Sequence, residues 1–415
     1  RGMSMENDRM VNSAATSVYT PDITNGNGDT ILPTVPIQGY EGFIRPADDA
    51  RAKALGDACA REIAGKILAD FEKTEAYCRR NGGKPDQMVH VSTFVILDGM
   101  VYMTYYANTG TDQEDPTQQA ARLAFCPLDN PEDMTILELQ KVGDVLDGRE
   151  ITHVYDTILM YKGGDELYLM WTASPQDNYH RLYRTFSLSR KTLGPIRVNR
   201  FRVGDVVNDF SISGMKAALS YYRIPFKAMW SDIGIMQKLS TRMEAGETWY
   251  YSGAYSGNFN CIIKSRDLIT WEYVAAPDFP NNSRWENATY VVGDRCYYFV
   301  RQQECEQGFL TYYDLCQKTW ATPFLIADAQ SRSDFVLYDG ELYLIHAPVD
   351  RDGFGIVRVD QEALCNSTPL LVVDMKDSCF YPYVRLYGDT AYISYTVARK
   401  HIRLARFQFA EYLSK

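Results

Sequence analysis

One phrase recurs five times along this 415-residue chain: an apolar strand, a tight turn carrying Gly or Asp, and a second strand rich in tyrosine. It occupies residues 94–102 (turn Asp98-Gly99), 158–168 (Gly163-Gly164-Asp165), 290–298 (Gly293-Asp294), 335–343 (Asp339-Gly340) and 384–392 (Gly388-Asp389). A sixth, diverged copy with a longer turn covers 233–251. Gly and Asp tolerate the left-handed backbone that short hairpin turns require. A hairpin repeated every ~45–60 residues cannot bury both faces alone, so neighbouring copies must stack. The expected fold is therefore all-β: a β-propeller of six blades near 90–147, 151–203, 229–277, 284–328, 333–375 and 380–410. Five blades plus an additional sheet is the alternative, because residues 204–228 fit no blade and 212–222 read as a short helix.

Two segments precede the repeats. Residues 1–45 are polar and turn-rich (Asn25-Gly26-Asn27-Gly28-Asp29), and Arg1-Gly2-Met3 reads as a tag remnant. From 46 to 83, Leu55, Cys59, Ile63, Ile67 and Phe71 follow at four-residue steps, the mark of an amphipathic helix. Asp48 and Asp49 suit its start, Arg79 and Arg80 its last turn, and Asn81-Gly82-Gly83 its stop. This N-terminal helix is expected to pack on the propeller domain, residues 84–415. The last copy lacks an outer strand, which a strand from 30–45 is expected to supply, closing the ring.

Composition excludes several classes. A net charge of −10 and the lack of any Lys/Arg run argue against a nucleic-acid partner. No apolar stretch is long enough to span a membrane. Nine Cys without a CxxC pair fit neither a zinc knuckle nor a small disulfide framework, and suit reduced thiols. With no signal peptide visible, a cytoplasmic location is favoured; secretion stays open if a leader was removed. Oligomeric state is not legible. Thirty Tyr, 18 Phe and 6 Trp favour strands, and an exposed Tyr can stack on a sugar while bonding a hydroxyl.

In a propeller the innermost strand of each blade lines the axis, so the residues just before each repeated phrase converge on one mouth. They are His90 and Ser92; His153, Tyr155 and Asp156; Ser231 and Asp232; Arg284, Glu286 and Asn287; Ser331, Arg332, Ser333 and Asp334; Tyr381 and Tyr383. Strands that only packed a core would carry Val, Ile, Ala or Gly here. Asp and Ser near a turn often serve the turn alone; polarity in all six copies points to a functional funnel.

Here the chain resembles known propeller glycosidases. Ser265-Arg266-Asp267-Leu268-Ile269-Thr270-Trp271 is similar to the Ser-x-Asp-Leu-x-x-Trp hairpin of arabinanase/xylosidase-like and invertase-like families, and to the Asp-box of sialidases without its Gly. The resemblance implies a locked outer turn. Glu286-Asn287-Ala288-Thr289-Tyr290 resembles the general-acid strand of the arabinanase type, and Tyr155-Asp156-Thr157-Ile158 the strand whose Asp tunes that acid. The first blade departs: where those families place a base Asp, this chain has His90, Ser92 and Thr93. Arg223-Ile224-Pro225 matches a sialidase motif in type but lies mid-chain, and reads as coincidence.

The leading expectation is a glycoside hydrolase on an oligo- or polysaccharide, using paired carboxylates. Glu286 is the candidate acid, its pKa raised by burial. Asp156, Asp334 and Asp232 are candidates for base, nucleophile or pKa modulator. Arg284 and Arg332 suit a substrate carboxylate, pointing to uronic or sialic acids; bracing salt bridges between blades are the alternative use. Tyr155, Tyr381 and Tyr383 are candidate sugar contacts. The runner-up is a polysaccharide lyase, with His90, His153 and Tyr155 as acid–base groups at matching places on two blades. A non-catalytic glycan-binding propeller is the third reading. No cofactor is implied, although a structural calcium ion in the channel is compatible with the Asp content.

Overall fold

The computed structural model describes residues 23–24, 30–31, 43–44, 61–63, 65–71, 84–175, 178–226, 229, 233–235, 238–277, 283–302, 307–327, 329, 331–347, 351–374 and 378–413. Six sheets follow one another along the chain, each touching the next around a closed ring. Five are propeller blades, and a curled sheet stands between the second and third. The first blade runs Met88–Leu97, Met100–Asn108, Ala120–Pro127 and Thr135–Lys141 from axis to rim, all antiparallel. The second is built on Arg149–Met160, Glu166–Pro175 and His180–Ser187. The third blade starts with Ser283–Val292 and Arg295–Gln302, the fourth with Asp334–Tyr338 and Glu341–His346, the fifth with Cys379–Tyr387 and Thr390–Val397.

The sixth, diverged copy is the curled sheet, so the alternative of five blades plus an extra sheet describes the ring. Seven strands make it: Ile233–Ile235, Ser240–Glu244, Glu247–Ser256, Phe259–Ser265 and Thr270–Ala275, then Arg200–Val203 and Val206–Asp209 added beyond them. Arg200–Val203 pairs parallel to Thr270–Ala275, which the intervening chain makes possible by folding back. That chain contains the expected helix, Ile212–Tyr221, whose Ser211 side chain accepts from Gly214 N at 3.0 Å. Its Met215, Ala218 and Leu219 are fully buried with Phe201, Phe210 and Trp271.

The N-terminal segment differs from the expected single helix. Arg61–Ile63 and Gly65 are helical, but Ile67–Asp70 is a strand that pairs with His401–Gln408 and forms the outer edge of the fifth blade. Residues 46–60 and 72–83 lie outside the described residues. A four-residue step is even, so it does not by itself separate a helix from a strand. The unpaired edge of His401–Gln408 decides the matter, since its open backbone groups need partners. Ile63 and Phe71 are each 1% exposed and reach the core, whereas Ile67 is 39% exposed. The outer strand of the fifth blade is thus 67–70; residues 32–42 and 45 lie outside the described residues. Phe43–Ile44 instead adds to the third blade, parallel to Phe324–Ala327.

Side chains also stitch sheet to sheet near the axis. Thr93 Oγ1 accepts from Leu159 N at 2.8 Å, Ser92 donates to Ser394 Oγ at 2.8 Å, and Asn287 Nδ2 donates to the Ala254 carbonyl at 3.0 Å. The Ser265–Trp271 hairpin is the locked turn its resemblance implies. Asp267 Oδ1 accepts from Ile269 N and Thr270 N, both at 2.9 Å, and Trp271 is fully buried.

Candidate functional site

The innermost strands do not run straight past the axis. Those of the first, second and fifth blades break register between His90 and Thr93, Tyr155 and Ile158, and Phe380 and Tyr383, and the second also between Ile151 and His153. The first three of these breaks each hold a non-glycine residue in the left-handed region, Val91 (φ 57°), Asp156 (φ 61°) and Tyr381 (φ 59°). For a β-branched residue such as Val91 this conformation is a true outlier, and such strain costs on the order of 1–3 kcal/mol per residue. A bulge re-aims side chains. It separates Tyr381, at the funnel, from Tyr383, which is 1% exposed and packs on Phe94 in the first-blade core. The third blade has its own break between Ser283 and Asn287, at Glu286.

Glu286 and Tyr381 meet across this space. The Tyr381 hydroxyl donates to Glu286 Oε1, and Arg301 Nη1 donates to Oε2 at 2.8 Å. Burial alone raises the Glu286 pKa, as the sequence leads one to expect. The Arg301 charge and the bonds from Tyr381 and Arg301 outweigh burial and pull it down to about 2. Glu286 is therefore an ionised acceptor and not a proton donor. Burial, and then the Glu286 charge, push the Tyr381 hydroxyl well above its ordinary value. The phenol is neutral, and it donates to an ionised carboxylate.

Cations and aromatic rings surround the pair. Arg332 lies 5.6 Å from the Tyr381 ring centre, and Phe380 carries Arg351 at 5.4 Å and Arg399 at 5.0 Å. The His90 ring centre is 4.5 Å from Tyr381 and 5.2 Å from Phe380, and His90 Nδ1 is 2.9 Å from Thr396 Oγ1. Burial, followed by the Arg399, Arg351 and Arg332 charges, holds its pKa well below 6.5, so the imidazole is neutral. Tyr106, Tyr155, Tyr255 and Val91 pack together beneath, with Tyr179 and Tyr381 against them.

Asp156 provides a second carboxyl group in this region. It is 4% exposed, accepts from Tyr255 Oη at 2.7 Å, and lies 3.6 Å from Arg181 Nη1. Burial pushes its pKa up, and Arg181 and Tyr255 only partly oppose this. Asp334 belongs to a different arrangement. Its Oδ2 accepts from Lys238 Nζ at 2.6 Å and from Val384 N at 2.8 Å, tying the curled sheet to the fourth and fifth blades.

The two histidines expected at matching places are not equivalent. The residue before the bulge is His90 in the first blade but Tyr155 in the second, so His153 sits two residues earlier. His153 is half-buried, with Nδ1 2.9 Å from Thr152 Oγ1 and its ring 5.5 Å from Tyr179. Asp232 and the Arg284 side chain lie outside what the structure describes. Arg301, Arg351 and Arg399 were not among the sequence candidates, because Arg301 lies near the end of a second strand and the other two follow second strands. The usable signal is that a second strand ends at the same mouth where the first begins. Among the described residues, no cluster of three or more His, Cys, Asp or Glu is placed to hold a metal ion, and no helix is long and apolar enough to cross a membrane.

No family model matches the chain, and no curated protein matches it. Solved structures do share its fold. The Trypanosoma rangeli sialidase in complex with sialic acid superposes at a TM-score of 0.52 and 13% identity, over 80% of this chain and 55% of that one. The Hadza microbial sialidase gives 0.53 and 12%, over 78% and 66%. The intramolecular trans-sialidase from Ruminococcus gnavus, in complex with oseltamivir carboxylate, gives 0.51 and 10%, over 85% and 99%. The chain thus spans little more than half the length of the first of these. At such identities the likeness is one of fold: this chain has the propeller fold of sialidases and trans-sialidases.

Proposed function

We propose that the protein is a glycoside hydrolase for acidic sugars, in which Tyr381 is the nucleophile and Glu286 the base that takes its proton. The hydrogen bond from Tyr381 to the ionised Glu286 carries this reading. A phenol is a poor nucleophile until a base removes its proton, and a carboxylate already bonded to it is placed to do so. An anomeric carbon flanked by a carboxylate repels an anionic nucleophile but tolerates a neutral phenol. A tyrosine nucleophile is the known departure of sialidases from paired-carboxylate chemistry, and the shared fold agrees with it. Tyr381 Oη bonds to the anomeric carbon as its proton passes to Glu286. The glycosidic bond breaks, a protonated acid supplies the leaving oxygen, and water later releases the sugar from Tyr381. Asp156 is the candidate acid. Two carboxyl groups whose environments drive their pKa values apart mark acid and base, and Glu286 and Asp156 do this.

Arg301, Arg332, Arg351 and Arg399 are the candidate anchors for the substrate carboxylate. Arg301 also has to yield. While it holds Glu286 near a pKa of 2, that carboxylate is too weak a base for a phenol. A substrate carboxylate that draws Arg301 toward itself would return Glu286 to a normal or raised pKa, coupling binding of the acidic group to activation of Tyr381. The test is to assay Tyr381→Phe and Glu286→Gln on 4-methylumbelliferyl glycosides of sialic and glucuronic acid. Each is expected to lose on the order of hundredfold or more in kcat with its melting temperature kept. Two variants that both hydrolyse like the parent sink the proposal.

One observation favours a second reading. His90 is neutral and stacked beside Tyr381 among arginines, as a β-eliminating lyase would need of its base. Its sequence partner His153 stands two residues before the second-blade bulge, against Tyr179. New absorbance near ~235 nm on a uronate polymer, the mark of the C4–C5 double bond such elimination leaves, would select this reading.

A further inference from the structure

Arg181 lies on the third strand of the second blade and is fully buried. A guanidinium is among the costliest groups to bury, so what it bonds to identifies its use. Main-chain bonds fix its place: Arg181 N donates to the Phe210 carbonyl at 2.8 Å, and Asn199 N donates to the Arg181 carbonyl at 2.9 Å. Its side chain reaches the bulge on the first strand of the blade. Nη1 donates to the Asp156 carbonyl at 2.7 Å and to Thr172 Oγ1 at 2.9 Å, with the Ile233 carbonyl of the curled sheet at 3.4 Å. Thr172 itself donates to the Ile233 carbonyl and pairs with Tyr155, at the lip of the bulge. Nε and Nη2 bond to nothing among the described residues. The bonds of this buried cation thus go to the backbone of one strained residue and its surroundings, and not to a carboxylate.

Asp156 needs such a hold. Its left-handed backbone (φ 61°) costs on the order of 1–3 kcal/mol and persists only where neighbours over-determine it. Its carboxyl is 3.6 Å from Nη1, beyond hydrogen-bond reach. A direct hydrogen bond would add to the guanidinium charge in holding Asp156 ionised; at this distance the charge acts alone. We propose that Arg181 is the positioning residue of Asp156, gripping the main chain of the bulge while presenting its charge beside the carboxyl without bonding to it. An acid that gives its proton to the leaving oxygen and then takes one from water must keep its two forms close in energy. Burial favours the neutral form of Asp156; Arg181, the Tyr255 bond and Arg332 favour the ionised form, and Glu286 again the neutral one. Tyr106 of the first blade also faces Asp156, and Tyr155 faces Arg181. The proposal rests on the reading of Asp156 as the acid, but the titration of Asp156 does not require turnover.

Arg181→Gln keeps a donor and removes the charge, whereas Arg181→Lys keeps the charge on a single nitrogen. Each is compared with the parent in two ways. One is the pH profile of kcat/KM on an acidic-sugar glycoside with an alkyl leaving group, where the acid matters most. The other is the infrared difference against the matching Asp156→Asn protein, which isolates the carbonyl stretch of protonated Asp156. In Arg181→Gln the band should persist to higher pH, and the alkaline limb should move up with it. In Arg181→Lys the limb should not rise, while kcat falls by about a hundredfold, as when a catalytic group shifts by about 1 Å. An Arg181→Gln band that titrates as in the parent overturns the assignment. Should Arg181→Gln not fold, Arg181→Lys decides alone: parental kcat overturns it. A band that shifts while the rate limb stays fixed supports the hold of Arg181 on Asp156 and removes Asp156 as the acid, a failure of the functional reading instead.

Discussion

Tyr381, in a left-handed bulge of the fifth blade, donates its hydroxyl hydrogen to Glu286, in a bulge of the third blade, while Arg301 holds the other oxygen of the same carboxylate. Glu286 and Arg301 sit on the paired first and second strands of the third blade, and the ring brings Tyr381 to them from the fifth. Each pair in this line has consequences that can be measured separately.

Arg301→Gln should move the acid side of the pH profile of kcat/KM, which reports the free enzyme. With Arg301 present, Glu286 stays ionised down to about pH 2, so its protonation cannot limit the rate at mildly acidic pH. Without that charge and its hydrogen bond, two of the effects that hold the carboxyl down are gone while burial stays, so the Glu286 pKa rises from about 2. The acid limb should therefore shift upward. A limb that does not move shows that Glu286 is not the base.

Asp156→Asn should lose most on substrates with poor leaving groups. An acid that donates to the departing oxygen matters least when that oxygen leaves unaided. The expected ratio of losses, alkyl or sugar leaving group against 4-methylumbelliferyl, is at least tenfold. Equal losses on both would reduce Asp156 to a structural partner of Arg181 and Tyr255.

His90 should make the fold sensitive to mild acid. Its native pKa is depressed by burial and by nearby arginines, so below about pH 6.5 the unfolded chain binds a proton that the native state refuses. Stability then falls as pH falls, by up to about 1.4 kcal/mol per pH unit from this one group. In His90→Asn, which does not titrate, urea unfolding between pH 6.5 and 4.5 should lose that share of the slope. An unchanged slope contradicts the burial argument.

Asp334→Ala should unfold the ring more than it harms the chemistry. Lys238 loses its partner while still buried, at a cost of about 3–5 kcal/mol. Burial already pulls the Lys238 pKa down to about 8, which Asp334 opposes. Lys238→Met combined with Asp334→Leu should recover much of the loss, because no unpaired charge remains. Activity per folded molecule should survive in both. A stable Asp334→Ala protein without activity would return Asp334 to the catalytic candidates.

Much of this was legible in the sequence, for a physical reason. The strand–turn–Tyr phrase fixes the ring because each hairpin needs the next to bury its face, and Glu286, Asp156, His90 and Tyr381 sit on first strands, with Arg332 just before one. Three things were hidden. The stripe Ile63, Ile67, Phe71 reads equally as helix or strand, and only the open edge of His401–Gln408 selects the strand. The bulges at Val91, Asp156 and Tyr381 leave no Gly to announce them, so Tyr381 and Tyr383 look alike though one faces the funnel and the other the core. The charge state of Glu286 depends on Arg301, fifteen residues away by numbering on the neighbouring strand, and burial without that neighbour predicts the opposite sign.

Trapping the sugar on the enzyme tests the central claim most directly. A 2,3-difluorinated sialic acid has been observed as a covalent intermediate in one of the structurally similar sialidases. The protein would be incubated with that compound, digested, and mapped by mass spectrometry. A single added sugar on Tyr381, absent from Tyr381→Phe, is the predicted result. An adduct on Glu286, on Asp156 or elsewhere, in a protein that hydrolyses the aryl glycoside of the same sugar, would contradict it.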